Sequence, residues 1–132
     1  MFGHKAKNTI DSLIGTSTTI EGNVRFKGGL RVDGHVKGNL IADPLENSML
    51  VISEQATVDG EVRAEHVVVD GAITGSVYCS ELLELQPRAR ITGDVHYKAL
   101  EMHGGALVSG KLTHQQDAEV LKLATPKLAS NQ

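Results

Sequence analysis

Large aromatic rings are nearly missing from this chain, which holds two Phe, two Tyr and no Trp in 132 residues. A rounded core relies on such rings to fill irregular space, whereas a narrow tube of stacked aliphatic side chains has little room for them. The shortage therefore favours a thin core. The single cysteine, Cys79, excludes an internal disulfide and has no second Cys with which to build a zinc site. Together with the lack of a secretory signal pattern, it suggests a reducing, cytoplasmic setting. A membrane-spanning helix needs about 20 apolar residues, and the longest aliphatic run is Met49 to Ile52. A net charge of −3 gives no basic bias, so no nucleic-acid partner is expected.

What the chain has in quantity is glycine in a fixed setting. The stretch 50–75 comes back 33 residues later, with Ile52 falling on Leu85, Val58 on Ile91, Gly60 on Gly93, Val69 on Met102 and Gly71 on Gly104. Charged residues between them are hardly matched, so what repeats is a pattern of burial and turns, the mark of a solenoid. The unit apolar-x-Gly-x-apolar recurs around Gly22, Gly38, Gly60, Gly75, Gly93 and Gly110, at spacings of 16, 22, 15, 18 and 17. The one long interval contains residues 42–48, which read as a loop inserted into one turn. Elsewhere the period is about 17, which makes the offset of 33 two periods.

Within each unit, apolar and polar residues alternate as in a strand with one buried face. A period of that length allows three short strands with glycine-relaxed corners between them. Coiling such triangles sets each strand parallel to its equivalent about 4.8 Å away and stacks the aliphatic residues in a central column. The predicted fold is all-β: a single-stranded parallel β-helix of about six turns with a triangular hydrophobic core, near 30 Å long. It spans residues 18–112, with flexible tails at 1–17 and 113–132, the second open to a short helix from Asp117 to Pro126. A helical fold is disfavoured by the dense Gly and β-branched residues of 18–112. An antiparallel sandwich would not need the constant offset.

A search for chemistry returns little, and no catalytic, cofactor or metal site is assigned. The histidines, His4, His35, His66, His96, His103 and His114, lack metal-ligand spacing. Asp33, Asp59 and Asp70 each precede a glycine, which is turn chemistry before it is acid-base chemistry. There is no phosphate-binding glycine loop ending in Lys-Ser or Lys-Thr. The competing reading is a trimeric hexapeptide-repeat acyltransferase, because Gly22, Gly28 and Gly34 are six apart, as are Gly104 and Gly110. That six-residue beat breaks in most turns.

A β-helix left uncapped presents unpaired strand edges and an open hydrophobic column at each end. Ile20, Val24 and Phe26 at one end and Leu107, Val108 and Leu112 at the other are the candidate polymerisation contacts. At the start of the chain, Met1 and Phe2 are followed by Lys5 and Lys7, with no acid before Asp11. These four are the candidate membrane-binding residues. Burying Phe2 and placing the two lysines near an anionic leaflet amounts to roughly 3 to 5 kcal/mol, which holds weakly unless many copies act together.

The glycine-punctuated β-helix, the Met-Phe start with its lysines and the second short tail resemble the bactofilins, small bacterial cytoskeletal proteins. The resemblance implies a right-handed β-helix that polymerises end to end without nucleotide or cofactor, like end to like end. It also implies peripheral attachment to the inner face of the cytoplasmic membrane and a scaffold role for cell-wall or cell-shape machinery, and no enzymatic activity. Family members often carry phenylalanine near the last turn, where this chain has Leu107 and Val108.

Overall fold

The computed structural model describes residues 10–44 and 47–115, and among these there is no helix. The strands follow one another as sides of a triangle. The first turn is made of β1 (Ile10–Ile14), β2 (Thr19–Glu21) and β3 (Val24–Phe26), and the second of β4 (Gly29–Val32), β5 (His35–Lys37) and β6 (Leu40–Ala42). The third comprises β7 (Met49–Ile52), β8 (Thr57–Asp59) and the first half of β9 (Val62–Val69). The rest of β9, β10 (Ala72–Thr74) and the first part of β11 (Val77–Leu85) make the fourth. The remainder of β11 with β12 (Arg90–Thr92) and β13 (Val95–Tyr97) makes the fifth, and β14 (Ala99–Met102), β15 (Leu107–Ser109) and β16 (Leu112–His114) the sixth. Every pairing joins a strand to its equivalent one turn away, and all are parallel. The chain is a β-solenoid of about six turns, as the glycine spacing predicts.

Alternation along each strand sends one set of side chains inward, where they form vertical columns. On the first face, Ile14, Val32, Ile52, Val69, Leu85 and Met102 lie in register. The second face contributes Ile20, Val36, Val58, Ile73, Ile91 and Val108. The third contributes Val24, Leu40, Val62, Val77, Val95 and Leu112. The four middle members of every column are buried to 1% exposure or less. Aliphatic side chains of similar size stack in so narrow a shaft, which is why aromatics are not needed inside it.

The three corners differ. Between the first and second faces the connection takes four residues (15–18), then two (33–34), four (53–56), two (70–71), four (86–89) and four (103–106). Long and short corners nest: a Cβ on Gly71 would run into the carbonyl oxygens of Ser53 and Ala56 in the corner before it. The alternation holds through the fifth turn and breaks in the sixth; where it holds, equivalent corners recur every second turn, which is why the clearest sequence repeat covers two turns rather than one. Between the second and third faces each corner is two residues beginning with glycine. At Gly75 φ is 148°, and a Cβ there would strike the carbonyl of Gly60, so both backbone conformation and close approach require glycine. The corner from third to first face is irregular. It holds the loop inserted after Ala42, whose far end is pinned by Ser48, with its hydroxyl accepting from the Glu65 amide at 2.9 Å.

One boundary needs correction. Residues 10–14 fall in the stretch read as a tail, yet they form β1, and Ile14, 7% exposed, begins a core column. Its carbonyl accepts the amide of Asp33 at 2.8 Å. The strand escaped the sequence reading because Gly15-Thr16-Ser17 follows it directly and no glycine unit precedes it. At the other end β16 reaches His114, two residues past the expected boundary. The helix expected from Asp117 lies outside the described residues.

Candidate assembly surfaces at the two ends

The solenoid's sequence pattern continues unchanged into the first and last turns, so the side chains there are the same aliphatics as in the shaft, with one neighbour missing. At the C-terminal end Leu112 is 44% and Met102 45% exposed, and Leu100 and Val108 are half-buried. All four stand in inward columns, directly on Val95, Leu85, Leu83 and Ile91. At the N-terminal end Ile20, Val24 and Phe26 are half-buried above Val36, Leu40 and Ala42. The two sets lie five rung spacings apart, about 24 Å.

Backbone groups are open in the same places. In the shaft, the corner amides donate one turn onward: Gly75 to Thr92 at 2.9 Å, Val77 to Asp94 at 2.9 Å, Gly93 to Ser109 at 2.9 Å. The equivalent amides of Gly110 and Leu112 face past the stack, with no further turn among the described residues to accept them. An open strand edge beside an open apolar column is a template for another strand.

The structure brings Ile20, Val24 and Phe26 together, and it brings Val108 and Leu112 together. It separates Leu107 from them. Leu107 registers with Arg90 on the outer surface of the second face and is 57% exposed. Period-two alternation requires this, because Val108 points inward. Leu100, Met102 and Ile14 share the terminal columns and were missed. The 17-residue step from Leu85 to Met102 was the available signal. Met1, Phe2, Lys5 and Lys7 lie outside the described residues.

Polar side chains elsewhere tie one turn to the next. Asp33 accepts from the Ser53 hydroxyl at 2.6 Å and from Arg31 at 2.8 Å, and the Ser53 bond above all holds its carboxyl below the ordinary range. Cys79 is buried with its Sγ donating to the Glu65 carbonyl at 3.0 Å, and burial pushes its thiol up to about 11. His35 meets Thr57 at 2.7 Å and His66 meets Glu84 at 2.9 Å. His96 stacks on Tyr78 at 4.6 Å, while Arg63 covers the same ring at 4.0 Å. An open groove of about 710 Å³ follows the irregular corner, lined by Ile41, Pro44, Arg63, Tyr78, Cys79 and Lys98 among others. Its thiol is protonated and engaged, and Tyr78 is occupied by Arg63 and His96. Among the described residues no group of three His, Cys, Asp or Glu converges on a metal site, and no helix is long and apolar enough to cross a membrane.

A family model for bactofilins, described as polymer-forming cytoskeletal, matches residues 12–113. The chain belongs to the bactofilin family. This bactofilin is 26% identical to bactofilin BacO of Myxococcus xanthus (strain DK1622) over 102 residues, 77% of the chain and 78% of that protein. It is 24% identical to bactofilin BacP of the same organism over 107 residues, 81% of the chain but 43% of that longer protein. It is also similar to a bactofilin of Thermus thermophilus solved by cryo-EM as double helical filaments, with a TM-score of 0.72 and 29% identity, over 78% of this chain and 98% of that one. Membership of a polymer-forming cytoskeletal family makes the bactofilin a self-polymerising scaffold.

Proposed function

We propose that this bactofilin polymerises end to end through its terminal turns, needs no nucleotide to do so, and works as a filament attached to the inner face of the cytoplasmic membrane. The observation that supports end-to-end growth is the pair of open columns: Leu112 and Met102 are nearly half exposed where their equivalents one turn inside are fully buried. Adding a turn from another subunit completes those columns and pairs the free amides beside them, so apolar burial and strand pairing act on the same contact. Membrane attachment is supported by Met1 and Phe2 with Lys5 and Lys7, a set too weak singly and strengthened by multivalency along a polymer. A filament held there offers repeated docking places to cell-wall or cell-shape proteins.

The test combines Val108→Arg with Leu112→Arg in the full chain. Circular dichroism stays as in the wild type while light scattering shows filaments replaced by small particles. Dimers mean that like ends join, because the untouched N-terminal ends still meet. Monomers mean head-to-tail growth. Filaments of unaltered length would overturn the end-to-end reading. For the membrane, Phe2→Glu filaments stay in the supernatant when mixed with anionic liposomes. Equal sedimentation of variant and wild type would refute the attachment.

A further inference from the structure

One inward column of the third face is under-filled. Its positions lie two residues after Val24, Leu40, Val62, Val77, Val95 and Leu112, and read Phe26, Ala42, Ala64, Cys79, Tyr97 and His114. Rings stand toward both ends of this column, with three small side chains between them. The strands part at the same place: β6 and β9 pair only at Leu40–Val62 and Ile41–Arg63, and β11 and β13 only at Val77–Val95 and Tyr78–His96. Two features hold them apart. One is the loop inserted after Ala42, and the other is an extra residue between Cys79 and Leu82, where the register with β9 shifts. The result is the open groove of about 710 Å³, with Ala42, Ala64 and Cys79 in its lining. Protein interiors pack to near crystal density, so a notch of this size in the wall of a narrow shaft is a place for apolar groups from elsewhere.

We propose that the groove is the seat of this chain's own C-terminal segment, residues 117–123, which folds back across the turns and lays Leu121 and Leu123 over the notch. The point where the described chain ends supports this occupant. Gln115 is itself part of the groove lining. Its amide donates to the Tyr97 carbonyl at 2.6 Å, and its side chain reaches back to His96 Nδ1 at 3.5 Å, toward the turn before. The chain thus leaves β16 already inside the groove, whereas β1, at the other end, contributes nothing to the lining.

Reach agrees with this. From Gln115 in the sixth turn to Ile41 in the second is four rungs, about 19 Å at about 4.8 Å per rung, which extended chain covers in about six residues. Leu121 and Leu123 follow Gln115 by six and eight, and in an extended segment they stand on the same side. Turns of a solenoid otherwise touch only their neighbours, so a segment seated here straps the second turn to the sixth. It leaves Val108 and Leu112 open, and therefore goes beyond the end-to-end reading without resting on it.

The experiment uses the full chain and two readouts. In amide hydrogen exchange, Leu121→Asp with Leu123→Asp loses the protection of residues 63–65 and 79–81, while β8 and β10 exchange as before. Both substitutions lie outside the solenoid, so the circular dichroism is unchanged. The second readout is disulfide closure in the Cys79→Ala protein carrying Leu121→Cys, combined either with Ser80→Cys in the groove or with Ser109→Cys on the second face, both exposed positions. Ser109 is the nearer of the two along the chain, so a segment that samples every surface closes there first. A seated segment closes faster at Ser80→Cys. Equal protection in the wild type and the Asp variant, or faster closure at Ser109→Cys, overturns the proposal. A disulfide between chains at Ser80→Cys shows a second copy's segment in the groove, and groove protection lost only on deleting residues 1–9 shows the chain's start there; either result overturns it too.

Discussion

Val95 and Leu112 occupy the same column one turn apart, yet Val95 is fully buried and Leu112 is 44% exposed; Leu85 and Met102 differ likewise, at 0% and 45%. Nothing in the residue types marks the second member of each pair as an interface. What separates them is whether a further turn of the stack is present. A solenoid has nearest-neighbour energetics, so core and assembly surface are one structure met at two places. The shaft should therefore be sensitive to mutation in stability, and the ends in polymer length.

The largest effect expected from that contrast is on the shaft. Ile73→Ala empties a fully buried site and should lower the unfolding free energy by about 2–5 kcal/mol. With the C-terminal end blocked by Leu112→Arg alone, Val108→Ala should cost less than half as much, by urea denaturation of the two variants side by side. Equal losses would erase the distinction between shaft and end.

Cys79 offers a pH-dependent version. Its buried thiol is pushed to about 11 from an ordinary 9.0, so above pH 9 the unfolded chain gives up a proton that the folded chain keeps. Stability from this group is complete below that pH and is lost as pH rises toward 11, by about 2–3 kcal/mol. Cys79→Ala should flatten the alkaline limb of the stability profile. An unchanged limb would mean the thiol does not sense the shaft.

Smaller still is the expected difference between two glycines of one corner column. Gly75→Ala meets the carbonyl of Gly60, whereas a Cβ on Gly22, in the first turn, meets nothing within 4 Å. Both have positive φ, 148° and 131°, so both should cost about 1 kcal/mol or more in backbone strain. Gly75→Ala should show the greater fall in thermal midpoint, and identical midpoints would contradict the close approach.

Much of this was legible in the sequence because the solenoid writes itself in glycines: the corner between second and third faces never varies in length, so its six-fold glycine series gives the turn count directly. The corner between first and second faces alternates in length through the fifth turn, which is why residues 50–71 match their copy two turns on; beyond Gly71 the offset of 33 is lost, because the sixth turn's corner is two residues longer than its counterpart. Strand β1 was hidden, since Ile14 pairs with Val32 without any glycine unit to announce it. Leu107 and Val108 were grouped by adjacency, and only the register with Arg90 and Ile91 assigns one outward and the other inward. The Arg63–Tyr78–His96 ladder was within reach, since each member stands three residues after its corner glycine, Gly60, Gly75 or Gly93, but it was missed because the three residue types differ.

Amide hydrogen exchange tests the growth of this stack most directly, comparing filaments with the Val108→Arg, Leu112→Arg protein. Assembly should slow exchange in β14, β15 and β16 by the amount a paired strand edge gives, slow β2 and β3 as well only where growth is head to tail, and leave the shaft strands β5, β8, β10 and β12 as slow as before. Terminal turns that exchange equally fast in both preparations would contradict growth through the ends.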